Sequence, residues 1–143
     1  YALLPRTLSA LRQLPLAPET AAFQRQLPGT GLPLHVDPSN FVLGCHLGVV
    51  IPPPIGDPSD RRNGKSEKAW IEVAGEKRHW ETGGAFVFDP SFLHRTRNPT
   101  EGERVILNID IWHPGLSEVE KTAIRRVCEL VEQWNARSGV FEK

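Results

Sequence analysis

Phe41-Val42-Leu43-Gly44-Cys45-His46-Leu47-Gly48-Val49-Val50-Ile51 is the stretch that decides the fold. It has no proline and is rich in β-branched and aliphatic residues, which suits a strand buried on both faces. Alternation puts Val42, Gly44, His46, Gly48 and Val50 on one face, and Phe41, Leu43, Cys45, Leu47 and Val49 on the other, apolar one. The glycines beside His46 leave room for a bound molecule that larger side chains would fill. Downstream, residues 70–73 and 77–80 flank Ala74-Gly75-Glu76 as a hairpin, and residues 85–88 and 104–112 read as further strands punctuated by Gly and Pro. Such a set of short strands predicts a mainly β sandwich or barrel.

Working outward, the pattern changes at Ser117. Ser117 and Glu120 form a capping box, and Val119, Ala123, Val127, Leu130 and Trp134 recur at helical spacing before Gly139, a stop signal. This helix, over residues 117–137, is expected to pack its apolar stripe on the outside of the sheet rather than dock another protein. On the N-terminal side, residues 1–31 are mixed: 6–14 read as a short helix carrying Leu8, Leu11 and Leu14, and 27–31 as a turn. Residues 52–69 hold four prolines and almost no apolar side chain. They read as a long polar loop, either a mobile surface insertion or a lid at a barrel mouth.

The 143 residues fit a single domain, 1–143, with its core at 5–116. Equal numbers of basic and acidic side chains, 17 each, leave no electrostatic footprint for nucleic acid or an anionic membrane. No run of about 18 apolar residues would insert in a bilayer, so the chain reads as a soluble domain whose localisation is open, since an upstream anchor or targeting segment could precede Tyr1. Cys45 and Cys128 are too few for a disulfide scaffold and read as reduced packing residues.

Chemistry concentrates at His35-Val36-Asp37. On an extended segment both side chains leave the same face and can share one ion. A distant histidine must complete the set, and His94 in Phe88-Asp89-Pro90-Ser91-Phe92-Leu93-His94 is the candidate among five histidines. Two histidines and one carboxylate on one face of iron(II) leave positions open, the arrangement of non-haem iron oxygenases. Arg104 follows the turn-forming Asn98-Pro99-Thr100-Glu101-Gly102, so it is expected to begin the returning strand close to Thr96. A small dicarboxylate held by the metal at one end could set its far carboxylate on the Arg104 fork, which suggests 2-oxoglutarate. The alternative is an internal ion pair of Arg104 with Asp110, which shares its strand face. His46 is expected to donate to a carboxylate rather than bind metal. His79 and His113 read as structural, and Asp89 as capping a turn at Pro90.

Together these residues resemble the aspartyl/asparaginyl β-hydroxylase family of iron(II)- and 2-oxoglutarate-dependent dioxygenases. The resemblance rests on Pro28-Gly29-Thr30, His35 with Pro38 and Asn40, residues 46–52, Trp80-Glu81, residues 88–94, Arg104 and Asp110-Ile111-Trp112-His113-Pro114. It implies a double-stranded β-helix, a jelly-roll, cupin-like barrel with the C-terminal helix outside, and iron near one mouth. His35 and His94 match the family's iron histidines, Arg104 the arginine for the 2-oxoglutarate C5-carboxylate, and His46 a histidine near the other end of that co-substrate. Gln24 falls near an upstream polar co-substrate contact.

Two departures bear on chemistry. Asp37 stands where the animal enzymes look to have glycine, which favours a full His-Asp-His triad and hydroxylation over halogenation. Gly44 stands where those enzymes look to have arginine, so either His46 suffices at the keto-acid end or Arg95 or Arg97 approaches. The resemblance implies that iron(II), 2-oxoglutarate and O2 together hydroxylate an aspartyl or asparaginyl residue of a peptide, or a related amino-acid-type substrate. The rival readings are a metal-dependent cupin enzyme that needs no keto acid and a non-catalytic jelly-roll binding module.

Overall fold

The computed structural model describes residues 4–56 and 67–138. Their elements in chain order are α1 (Pro5–Leu11), β1 (Leu16–Gln26), β2 (Gly31–His35), β3 (Val42–Val50), β4 (Trp70–Val73), β5 (Glu76–His79), β6 (Ala85–Phe88), β7 (His94–Arg97), β8 (Arg104–Trp112) and α2 (Glu118–Ser138). The strands form two four-stranded sheets, ordered β1-β8-β3-β6 and β2-β7-β4-β5. All pairings are antiparallel, and they nest: β4 with β5, β3 with β6, β2 with β7, β1 with β8. One long hairpin wound over itself gives this order, with successive strand pairs falling alternately in the two sheets. The fold is therefore mainly β, a jelly roll of the cupin type, followed by a C-terminal helix.

The inner faces of both sheets build the core. Ala69, Ile71, Trp80 and Ile106 are its buried centre, with Ile51, Val73, Phe86 and Phe88 packed against them. β3 alternates as expected, Val42, Gly44, His46 and Gly48 being buried. Its other face is only half-buried, so this strand is not covered on both sides as its composition suggests. The glycines beside His46 are required by close neighbours: a side chain at Gly44 would press on the Phe88 ring, and one at Gly48 would overlap the Glu81 carbonyl.

The hairpin forms with a tighter turn than expected. Val73 pairs with Glu76, leaving Ala74 and Gly75 as the two turn residues, both at positive φ (49° and 86°). That is the turn geometry matching the twist of the strands. The N-terminal region departs more. The helix ends at Leu11, and β1, an eleven-residue strand, occupies the stretch between the expected helix and turn, for which the sequence signalled no element. β1 lies at a sheet edge and its register slips between Leu16 and Ala21, which is where a strand can hold Pro18.

Asn98 to Gly102 does turn the chain, but β8 does not return beside β7. It crosses to the other sheet, and the fully buried Asn98 organises the crossing. Its Nδ2 donates to the Gly102 carbonyl (2.8 Å) and faces those of Gln26 and Leu27, while its Oδ1 accepts from Thr100 N and Oγ1. Of the polar loop, residues 57–66 lie outside the described residues, as does Gly139. The loop's two ends are joined by paired backbone hydrogen bonds between Ile55 and Glu67, 3.0 Å each.

The capping box is present and reciprocal: Ser117 N and Oγ donate to Glu120 Oε2, and Glu120 N donates back to Ser117 Oγ. The helix does not bury the expected stripe, however. Val119, Val127, Leu130 and Trp134 are exposed, and the partly covered residues are Lys121, Ile124, Cys128 and Asn135, one helical row away. Arg125 joins helix to barrel, donating to the Leu16 carbonyl (3.3 Å) and lying over the Trp112 ring (5.1 Å). Among the described residues, no helix is long and apolar enough to cross a membrane.

Candidate active site

β2 and β7 are neighbours, and their pairing sets His35 opposite His94. The two rings lie 4.1 Å apart. Each ring places Nδ1 against the carbonyl two residues earlier, Pro33 O at 2.7 Å and Phe92 O at 2.9 Å. A carbonyl only accepts, so Nδ1 carries the proton and Nε2 presents its lone pair. Both Nε2 atoms face Asp37 Oδ1, at 3.7 Å and 3.9 Å, too far for hydrogen bonds. Asp37 is held by its N–H, which donates to the Pro90 carbonyl (3.0 Å). Asp89 shapes that loop, accepting from Ser91 N and Oγ as the turn cap expected from sequence.

His35, Asp37 and His94 therefore offer three ligand atoms within 4.8 Å of one another, the one such group of three found among the described residues. Backbone bonds that fix the tautomer and aim Nε2 are what metal-binding histidines ordinarily have. The donor set of two imidazoles and a carboxylate suits a divalent transition metal and fits iron(II).

The same three residues line a cavity of about 150 Å³ whose wall includes Gln24, His46, Phe88, Thr96, Arg104, Asn108 and Asp110. Arg104 is 3% exposed. It is not hydrogen-bonded to Thr96 directly but reaches it through Gln26: Arg104 Nη2 donates to Gln26 Oε1 (3.2 Å), and Gln26 Nε2 donates to Thr96 Oγ1 (2.9 Å). Its Nε and Nη1 are buried with no hydrogen-bond partner among the described residues. Burial lowers its pKa to about 10, which leaves it cationic at neutral pH. A buried cation with two unpaired donors is costly unless an anion meets it, and a carboxylate fits that demand. Arg104 Nη2 turns to Gln26, and Asp110 Oδ1 accepts from Asn108.

His46 is buried: Trp80 Nε1 donates to its Nδ1 (3.3 Å), and Asn108 stands opposite it on β8. Burial, then the charge of Arg104 and the nearness of His94, lowers its pKa to about 3, so it is neutral. Arg95 and Arg97 do not fill in for the missing arginine. They point outward from β7, and Arg95 pairs with Glu72. His79 and His113 are structural in the way expected, bound to Ala69 O and Gly115 N.

Gln26, Thr96, Trp80 and Asn108 were not singled out as site residues from sequence. Gln26 shares a strand face with Gln24, and that spacing was the available signal. Gln24 sits opposite Ile106 and lines the cavity, whereas Gln26 sits opposite Arg104 and binds it.

Comparison with known proteins gives the relationship. The sequence profile described as "Aspartyl/Asparaginyl beta-hydroxylase" matches residues 1–114. An ornithine lipid ester-linked acyl 2-hydroxylase from Rhizobium tropici is 34% identical over 110 residues, 77% of this chain and 35% of that protein. Aspartate beta-hydroxylase domain-containing protein 2 from Xenopus tropicalis is 36% identical over 100 residues, 68% and 23% respectively. The human aspartyl/asparaginyl beta-hydroxylase is 31% identical over 127 residues, 84% and 15%. The chain thus spans about a third or less of the length of these relatives. Among solved structures, a cupin protein from Bacteroides fragilis aligns with a TM-score of 0.47 at 13% identity, over 69% of this chain and 72% of its own. By its profile and these identities, the chain belongs to the aspartyl/asparaginyl β-hydroxylase family.

Proposed function

We propose that this chain is a dioxygenase that uses iron(II), 2-oxoglutarate and O2 to hydroxylate an aspartyl or asparaginyl residue of a peptide or a related amino-acid-type substrate. Overall, 2-oxoglutarate, O2 and a substrate C–H become succinate, carbon dioxide and the hydroxylated product. The observation that carries the reading is Arg104, a buried cation with two unpaired donors, in the same cavity as three convergent metal-ligand atoms. His35, Asp37 and His94 would hold the iron, and bound there it supplies the oxygen activation that no side chain can. Arg104, steadied by Gln26, binds the far carboxylate of the co-substrate. Ile71 and Phe88 add apolar side chains to the lining of the same cavity. Family membership supports hydroxylation, and the family's members differ in what they hydroxylate.

An acyl-lipid substrate is the second reading. Ile71 and Phe88 also line a neighbouring cavity of about 300 Å³, where Val73, Phe86 and Val87 add apolar surface beside the charged Glu76, Arg78 and Asp89. Beside the metal ligands, Leu34, Val36, Phe92 and Leu93 are each just over half exposed. The Rhizobium tropici relative is named for acyl 2-hydroxylation.

Anaerobic addition of 2-oxoglutarate to the iron(II)-loaded chain tests the reading, with a visible metal-to-ligand band expected. No band points to a cupin that needs no keto acid, and no retained metal points to a binding module. His94→Ala is expected to abolish succinate release, and undiminished release would sink the assignment. Arg104→Ala is expected to raise the 2-oxoglutarate requirement roughly 100-fold, the cost of removing one partner of a buried charge pair. Succinate release with Asp- and Asn-containing peptides, free amino acids and acyl lipids then separates the substrate classes.

A further inference from the structure

One buried side chain touches two walls of the Arg104 cavity. Trp80 follows β5 and is 2% exposed. The face of its indole lies against Arg104, with the guanidinium carbon 4.3 Å from the ring centroid. Its edge points the other way, Nε1 donating to His46 Nδ1 at 3.3 Å, with the two rings 26° from parallel. An indole N–H only donates, so His46 Nδ1 must offer its lone pair and the neutral ring carries its proton on Nε2. Asn108 is the cross-strand neighbour of His46 on β8, and its Nδ2 donates to Asp110 Oδ1 (3.3 Å). Trp80 thus reaches both Arg104 and His46, two residues of the cavity wall.

We propose that Trp80 is a positioning residue for the co-substrate, fixing the Arg104 guanidinium with its ring face and the His46 tautomer with its N–H. The proposal rests on reading this cavity as the 2-oxoglutarate pocket. Tryptophan supplies both functions here, a π-face for the cation and an N–H for the imidazole. Phenylalanine keeps a π-face for the cation but has no donor, and leucine has neither.

The test pairs two substitutions with two readouts. Nitrogen-15 spectra of histidine in the full chain, recorded without added metal, report the His46 tautomer independently of turnover. In the wild type the proton is expected on Nε2; in Trp80→Phe the signal shifts toward a mixture of tautomers. Titration of 2-oxoglutarate into the iron(II)-loaded chain is expected to weaken about five-fold in Trp80→Phe, the worth of one hydrogen bond. Trp80→Leu is expected to weaken it about five-fold more through loss of the cation–π contact. An unmoved His46 signal with unmoved affinity in Trp80→Phe overturns the proposal. So does a wild-type His46 protonated on Nδ1, a measurement that stands even if the variants fail to fold. A wild-type chain that binds no 2-oxoglutarate overturns the reading of the pocket instead, and the tautomer shift shows which of the two has failed.

Discussion

His46 shows how one side chain takes its character from its surroundings. In water an imidazole titrates near neutrality, but here burial, Arg104 and His94 lower it to about 3 from 6.5. The sign for stability follows. Above pH 6.5 neither folded nor unfolded chain holds the extra proton; below it the unfolded chain takes one that the folded chain refuses. Folding stability is therefore complete above 6.5 and is lost as pH falls toward 3, by at most about 1.4 kcal/mol per pH unit from this group. Denaturant midpoints between pH 7 and 4 should fall less steeply in His46→Gln, which keeps an acceptor for Trp80; parallel profiles would show that His46 does not drive the loss. The convergent group of His35, Asp37 and His94 was legible in sequence because chemistry restricts the residue types that can share an ion and alternation restricts their spacing. Gln26 was not, because its role depends on which β8 residue stands opposite it, and that register is set by the whole sheet.

The elements divide by how local their causes are. The β4–β5 hairpin was legible, since two short strands and a Gly-containing turn stand within ten residues. β1 was not, because Pro18 argues against a strand unless it is known to lie at an edge. The capping box of α2 was legible for the same reason as the hairpin. The hairpin turn still carries strain, because Ala74 is the one non-glycine residue at positive φ among the described residues. Its N–H donates to the Leu93 carbonyl (2.9 Å), so the strained turn also supports the segment that delivers His94. Asparagine tolerates this conformation better than alanine and keeps the N–H. Ala74→Asn is therefore expected to stabilise the chain by about 0.5 to 1 kcal/mol, raising the melting temperature by roughly 3 °C. An unchanged or lower melting temperature would show that the turn is not strained as its φ implies.

At the scale of the molecule, the nested pairing of β1 with β8 and β2 with β7 joins residues far apart in sequence. Composition therefore predicted strands and a barrel or sandwich, and only the family resemblance supplied the jelly roll. The same scale explains why α2 misled. A helical apolar stripe ordinarily marks the buried face, yet this helix leaves its stripe in solvent and meets the barrel through a different row and Arg125. No described residue of α2 is buried, so its removal uncovers little apolar surface of the barrel. A chain ending at Leu116 is accordingly expected to keep its 2-oxoglutarate response and to melt within about 3 °C of the full chain. Loss of Arg125 from the Trp112 ring and the Leu16 carbonyl should account for most of that difference, so Arg125→Ala in the full chain is expected to reproduce it. A truncated chain that unfolds, or an Arg125→Ala chain that melts like the wild type, would show that the half-covered row of Lys121, Ile124 and Cys128 holds the barrel more firmly than its exposure suggests.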